Sequence, residues 1–100
     1  MNSFSTWLKI DSPYAQKYLT TLCRHFARKV PATWNENTGT VDFAMGQAKF
    51  SCSQDSLLIH CYASLPAEME QLQAVISSHL QMFARREPVI INWQVSGMDD

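Results

Sequence analysis

Two histidines, His25 and His79, fall on the apolar faces of two predicted helices. Imidazole changes charge near neutral pH, donates and accepts hydrogen bonds, and ligates metals. On a helical wheel, Tyr14, Ala15, Tyr18, Leu19, Leu22, Phe26 and Val30 form one apolar stripe. His25 lies inside it and Lys29 close to its centre, while Arg24 and Arg28 point to solvent. In the second helix, Met69, Leu72, Val75, Ile76, Leu80 and Phe83 form the stripe. His79 sits near its middle, and Arg86 and Glu87 extend it. A cation or imidazole on a buried stripe must be paired, neutralised or placed at an opening. If the two helices pack side by side, His25 and His79 meet, and Lys29 and Arg86 add positive charge. Such a pocket suits an anionic small molecule or a metal chelate.

A plainer reading stands beside it. A core histidine ordinarily donates to a carbonyl and stays neutral. Lys29 can bury its stem and keep its ammonium wet, and Arg86 can pair with Glu87. Two imidazoles are an incomplete first coordination shell, and no Glu-x-x-His pattern or third helical histidine completes it, so no metal is assigned. Lys29 is also the one lysine on an apolar face, the position a Schiff-base lysine requires. Cys23, beside Arg24 and His25, has the neighbours of an activated thiol, but burial without reactivity is commoner. No residue is assigned a catalytic role, and no cofactor is named by the sequence.

The elements that position these groups follow from periodicity. Phe4 to Ile10 alternates, with Phe4, Thr6, Leu8 and Ile10 on one side of a strand. Asp11-Ser12-Pro13 opens a helix that runs to about Lys29 and stops before Pro31. After an extended piece at Ala32–Trp34, Asn35 to Gly39 turns. Val41, Phe43 and Met45 form a strand, Gly46-Gln47 a tight turn, Ala48 to Cys52 a strand, and Leu57 to Ala63 another. Pro66 opens the second helix, which ends near Arg85-Arg86. Val89 to Val95 is the last strand, with Trp93 on its core side, and residues 96–100 form a frayed tail. The order β-α-β-β-β-α-β predicts one α+β domain: a two-layer sandwich of a mostly antiparallel sheet, four to six strands wide, with both helices on one face.

Composition narrows the function classes. One hundred residues make one domain, far short of the ~250 a (β/α)₈ barrel needs. A net charge of -1 is a poor match for bulk nucleic acid or an anionic membrane, so neither is expected as a partner. No apolar run is long enough for a membrane helix, and the first residues lack a secretory pattern. Three cysteines, Cys23, Cys52 and Cys61, with no C-x-x-C pair, point to buried thiols in a reducing, cytoplasmic setting.

The segments Tyr18-Leu19-x-x-Leu22-Cys23-Arg24-His25-Phe26-Ala27-x-Lys29 and His79-Leu80-x-x-Phe83-Ala84-x-Arg86-Glu87 resemble a family of small bacterial proteins, domain of unknown function 2218. Gly39-x-Val41-x-Phe43-x-x-Gly46 and Ile91-Asn92-Trp93 are similar to the same pattern, and the likeness spans about residues 5 to 95. The resemblance implies recurring polar residues at Arg24, His25, Lys29, His79, Arg86 and Glu87. Some relatives carry an automatic aldolase name. Others occur beside, or fused to, siderophore-interacting flavoproteins, which implies such a flavoprotein as a partner.

The leading expectation is therefore a small accessory binding domain for an anionic small molecule or metal chelate, with the link to iron-siderophore utilisation resting on resemblance. Its expected site is Arg24, His25, Lys29, His79, Arg86 and Glu87. The alternatives are a ligand-free domain that self-associates, as a homodimer, through an open sheet face bearing Leu58, Tyr62 and Ile90, and a lyase using Lys29. An RNA-binding face built on His60, Tyr62, Asn92 and Gln94 is a weaker expectation, because its aromatic is nearly alone.

Overall fold

A computed structural model describes residues 3–85, 87 and 89–99. Its elements are β1 (Ser3–Asp11), α1 (Ala15–Phe26), β2 (Ala32–Trp34), β3 (Thr38–Phe43), β4 (Gly46–Cys52), β5 (Ser56–Ala63), α2 (Pro66–Phe83) and β6 (Gln94–Asp99). The six strands form one antiparallel sheet in the order β2-β3-β4-β5-β1-β6. Both helices lie against the same face, as the α+β sandwich reading expects; the extra strand is the short piece at Ala32–Trp34, which pairs with β3.

Period-two alternation builds the sheet's inner face. Leu8 and Ile10 of β1, Leu57, Ile59 and Cys61 of β5, Ala48 and Phe50 of β4, and Val41 of β3 are all buried. The helices answer with Tyr18, Leu19, Leu22, Cys23 and Phe26 from α1 and Met69, Leu72, Ile76 and Leu80 from α2. Each fully buried Leu or Ile contributes about 1.5–3 kcal/mol of transfer free energy, so this apolar layer carries most of the driving force for folding. One polar bridge crosses it: Gln73 Nε2 donates to Thr6 Oγ1 at 3.0 Å, and that hydroxyl donates to Met69 Sδ at 3.2 Å.

Two glycines are set by close approach. A Cβ on Gly39 would lie 2.6 Å from Cys23 Sγ, so β3 and α1 touch there only because Gly39 has no side chain. A Cβ on Gly46 would lie 2.3 Å from the Tyr62 carbonyl oxygen. Gly46 is thus the first residue of β4 and pairs with Phe43. The tight turn predicted at Gly46-Gln47 is made instead by Ala44 and Met45. At the neighbouring turn, Asn35 Oδ1 accepts from the backbone N–H groups of Asn37 and Thr38, both at 2.8 Å, which explains the asparagine there.

Both helices are shorter than their periodicity predicts. Neither Asp11 nor Ser12 is the N-cap of α1. That position is Tyr14, and Ser12 Oγ accepts from the Tyr14 N–H at 3.0 Å, folding the approach to the helix instead. Tyr14 itself, predicted on the apolar stripe, is 51% exposed. At the other end α1 stops at Phe26. Arg28 N–H donates to the His25 carbonyl, and the N–H groups of Lys29 and Val30 donate to the Phe26 carbonyl, which tightens the chain into turns. Similarly, α2 stops at Phe83 rather than at Arg85-Arg86.

The last strand is also displaced. Val89–Trp93 is irregular, and the ladder with β1 runs from Gln94 to Asp99, through most of the predicted frayed tail. The alternation of Val89, Ile91 and Trp93 is real, but it records one-sided packing against the core. The Trp93 indole N–H donates to Ser77 Oγ on α2 at 2.9 Å, which pulls this segment toward the helices. The outer edge of β1 is then satisfied by the residues that follow.

Candidate functional site

The antiparallel packing of α1 against α2 brings His25 and His79 together. Their ring centroids are 4.7 Å apart and their planes are inclined at 49°. Phe26 and Phe83 frame the pair. The Phe26 ring lies 5.6 Å from His25 and 4.9 Å from His79; the Phe83 ring lies 5.5 Å and 6.3 Å from them. Both imidazoles are half-buried, at the boundary between the core and solvent.

The two rings are held differently. His79 Nδ1 lies 2.7 Å from the Val75 carbonyl oxygen, one turn back along α2. A carbonyl only accepts, so Nδ1 carries the hydrogen, and in the neutral ring Nε2 keeps its lone pair. His25 is positioned by aromatic packing; no hydrogen bond to a described residue ties its ring. Its pKa is pushed below the usual histidine value, first by burial against the aromatic rings and then by the positive surroundings of His79, Arg28 and Lys29.

A cavity of about 310 Å³ opens beside the pair. His25 and His79 line it together with Arg28 and Lys29, and Phe26, Val30, Phe43 and Val75 form its apolar wall. Among the described residues lining it, none is a carboxylate. Imidazoles, an apolar wall and a cationic rim thus converge on one volume. An arrangement of this kind favours a ligand with a negative charge at the rim and a flat or apolar body inside.

The expected site residues separate into groups. His25, His79 and Lys29 meet at the cavity. Arg24 lies exposed on the solvent side of α1 and does not line it. Arg86 lies outside the described residues. Glu87 belongs elsewhere: its carboxylate accepts from the Ser12 hydroxyl and, at 2.7 Å, from the Tyr18 hydroxyl, at the far end of the helix pair. Because α2 ends at Phe83, Glu87 leaves the helical stripe on which periodicity placed it and folds back onto the start of α1. These hydrogen bonds hold its carboxyl below the usual carboxylate range, while burial and the nearby carboxylate push the Tyr18 phenol up to about 12.

Arg28 is the residue that the helical wheel missed. It was set on the solvent side by continuing the 100° period, but α1 has already ended, and the turn swings Arg28 to the cavity. Two cations in the first residues after a helix that carries an inward-facing histidine are the only signal of this in the sequence. The same early ending leaves Lys29 exposed rather than central on the stripe. An exposed ammonium lacks the desolvated pocket that an imine-forming lysine requires.

Two other concavities are comparable in size. One of about 400 Å³ lies between the start of α1 and the end of α2, beside Tyr18 and Arg85; another of about 380 Å³ lies between β1 and the segment after α2, beside Trp7 and Ile90. Neither holds a pair of imidazoles. On the open face of the sheet, His60 and Tyr62 stack at 6.1 Å with their planes 23° apart, and Lys49 Nζ lies 5.8 Å from the Tyr62 ring centre. Asn92, expected on that face, is in the irregular segment rather than in a strand. The thiols offer no activated nucleophile: burial pushes Cys23 up to about 11 and Cys61 up to about 12, and raises Cys52 as well.

A family model described as an uncharacterized protein conserved in bacteria, DUF2218, matches residues 9–94. The chain belongs to this family. The match runs from near the end of β1 to the first residue of β6, so the family's domain includes both helices and the whole cavity. Among solved structures, the fold is similar to the NMR structure of PA4090 from Pseudomonas aeruginosa, with a TM-score of 0.77 and 24% identity over 91% of this chain and 95% of that one. At that identity the likeness is one of fold. Among curated proteins, none matches the sequence. No helix among the described residues is long and apolar enough to cross a membrane.

Proposed function

We propose that the domain is a binding module for a small anionic molecule or metal chelate, seated in the cavity beside His25 and His79. The observation that carries this reading is the convergence of two imidazoles and the Arg28 and Lys29 cations on one cavity with no lining carboxylate among the described residues. Structural histidines and cations are normally offset by nearby acceptors or acids. Here Arg28 and Lys29 line the cavity without a carboxylate among the described lining residues, and an anion at the rim would pair with them.

The size of the cavity limits the ligand. About 310 Å³ is at the low end of the ~300–1,000 Å³ range of small-molecule sites. A single aromatic or heteroaromatic acid fits; a large iron chelate would enter by one arm, with the rest outside. The iron-siderophore context, and a flavoprotein partner with it, rests on family resemblance, and the cavity adds the requirement that any such chelate dock through a single ring.

The test is an NMR titration of the isotope-labelled protein with benzoate, phthalate and 2,3-dihydroxybenzoate, following the imidazole and guanidinium signals. Saturable shifts at His25, His79 and Arg28 that disappear in His79→Phe support the reading. Shifts confined to the sheet face, or none at millimolar concentration, would overturn it.

A second reading is favoured by Ile90 and Val95, which are 82% and 80% exposed beside the β1–β6 edge. Isolated exposed apolar residues are ordinary, but Ile90 lines the cavity at Trp7, and a homodimer packed there would cover it. Sedimentation equilibrium of the native chain and of Ile90→Ser separates the cases: a dimer that dissociates in the variant supports self-association.

A further inference from the structure

We propose that His25 and His79 act as two adjacent ligands to a divalent transition metal that arrives already held by an anionic chelator, whose carboxylates are received by Arg28 and Lys29. This rests on the reading of the cavity as an anion site and specifies what the imidazoles do there.

Three observations point to it. The first is the lone pair on His79. Its Nδ1–H is fixed on the Val75 carbonyl, so Nε2 is the free nitrogen. A backbone carbonyl holding the distal N–H is the ordinary support for a metal-ligating histidine, because it sets both tautomer and ring orientation.

The second is the spacing of the rings. A metal lies ~2.0–2.1 Å from an imidazole nitrogen, hence roughly 3.2 Å from the ring centre, so two rings on neighbouring coordination positions have centres roughly 4.5–5.2 Å apart. The observed separation is 4.7 Å. The spacing therefore admits a shared metal, although ring packing alone reaches a similar distance, as the 4.9 Å between Phe26 and His79 shows.

The third is the charge around the pair. Two protein ligands leave the shell of any first-row metal unfilled, and among the described residues no group of three or more His, Cys, Asp or Glu is placed to complete it. A bare dication would also be repelled by Arg28 and Lys29 at the rim. An aminocarboxylate chelator removes both objections: it fills the remaining positions and reverses the charge. Imidazole donors select Ni²⁺, Cu²⁺ or Zn²⁺ over hard, oxygen-preferring cations.

Nickel–nitrilotriacetate is the probe, since its four donor atoms leave two neighbouring positions open and the complex is anionic. Affinity is measured by calorimetry and coordination by the visible absorption of the metal, in the full chain. The expected result is binding at least about tenfold tighter than that of aqueous Ni²⁺, with a shift of the metal's absorption to that of nitrogen coordination. His25→Gln and His79→Gln should each lose at least about tenfold, and Arg28→Ala several-fold. His60→Gln, which alters the remaining histidine on the opposite face of the sheet, should change nothing. Circular dichroism confirms that each variant is folded, and Arg28→Ala keeps the test decisive if a histidine variant is not.

If benzoate or metal-free nitrilotriacetate binds at the cavity and nickel–nitrilotriacetate binds no tighter, metal coordination is overturned and the anion site stands. If none of them binds, both fall. Bare Ni²⁺ binding as tightly as its chelate would overturn the role given to the chelator.

Discussion

The two ends of the helix pair treat their polar groups in opposite ways. At the start of α1 and the end of α2, the Glu87 carboxylate is occupied by two hydroxyls, those of Ser12 and Tyr18. Charge and donors there are mutually satisfied, and the arrangement ties the segment after α2 to the segment before α1. At the other end, His25, His79, Arg28 and Lys29 converge with no lining acid among the described residues, and a cavity is left between them. Both ends lie at the boundary of the same core. A polar group with its partner in place explains itself as structure; two cations and a free imidazole nitrogen around an open volume leave donors and a lone pair that a ligand can replace water to meet.

This contrast can be broken at several points. The largest effect should come from Gly39→Ala, which drives a Cβ into Cys23 Sγ, displaced by overpacking at a cost of about 1–3 kcal/mol. Because Cys23 lies two residues before His25, this variant should lose ligand affinity as well as stability. In a denaturant-melt cycle the double variant Gly39→Ala/Cys23→Ala should cost less than the two single changes added together. Additive costs would mean that the contact does not seat α1.

Next is Tyr18→Phe, which removes one donor from the Glu87 carboxylate. It should cost roughly 1 kcal/mol of stability and leave affinity at the other end unchanged. Glu87→Gln should lower the melting temperature in the same direction, and its effect should vanish at acid pH. The folded carboxyl titrates below the unfolded one, so its stabilisation is present above the unfolded value and fades as pH falls through the folded one. A melting temperature that is equally shifted at acid and neutral pH would contradict this.

His79→Phe should do the reverse. Phenylalanine keeps the ring packing with Phe26, Phe83 and His25 and gives up one hydrogen bond to a helix carbonyl, so stability should change by less than about 1 kcal/mol. Binding should be lost. A large destabilisation in chemical denaturation would make His79 a structural residue like Tyr18.

The smallest effect is in pH. His25 titrates below the usual histidine value, so between its folded value and about 6.5 the unfolded chain binds more protons than the folded one. Stability should therefore decline as pH falls through that window, and His25→Asn should flatten the decline. Urea melts across the range measure it; a slope of the opposite sign would place a negative group beside His25.

Much of this was legible in the sequence. Strict alternation placed the central strands, and the 3.6-residue period placed both helices and showed that His25 and His79 face inward. What periodicity does not carry is where a helix stops. It extended α1 three residues too far and α2 past its end, and this misplaced Arg28, Lys29 and Glu87, all within the first few residues beyond a terminus. Helix ends depend on backbone hydrogen bonds in the following turn, which leave little trace in hydrophobic pattern. Trp93 shows the same limit: its inward position was readable, but the strand expected around it was not, because packing on one side produces alternation with or without a ladder.

The most direct test is the affinity of 2,3-dihydroxybenzoate for His79→Phe and for Tyr18→Phe, measured by calorimetry beside the wild type. The account predicts that His79→Phe loses binding while remaining as stable as the wild type, and that Tyr18→Phe binds normally while melting earlier. Affinity that falls in both variants in proportion to their stability would show that the two ends are alike, and that the histidine pair is part of the core.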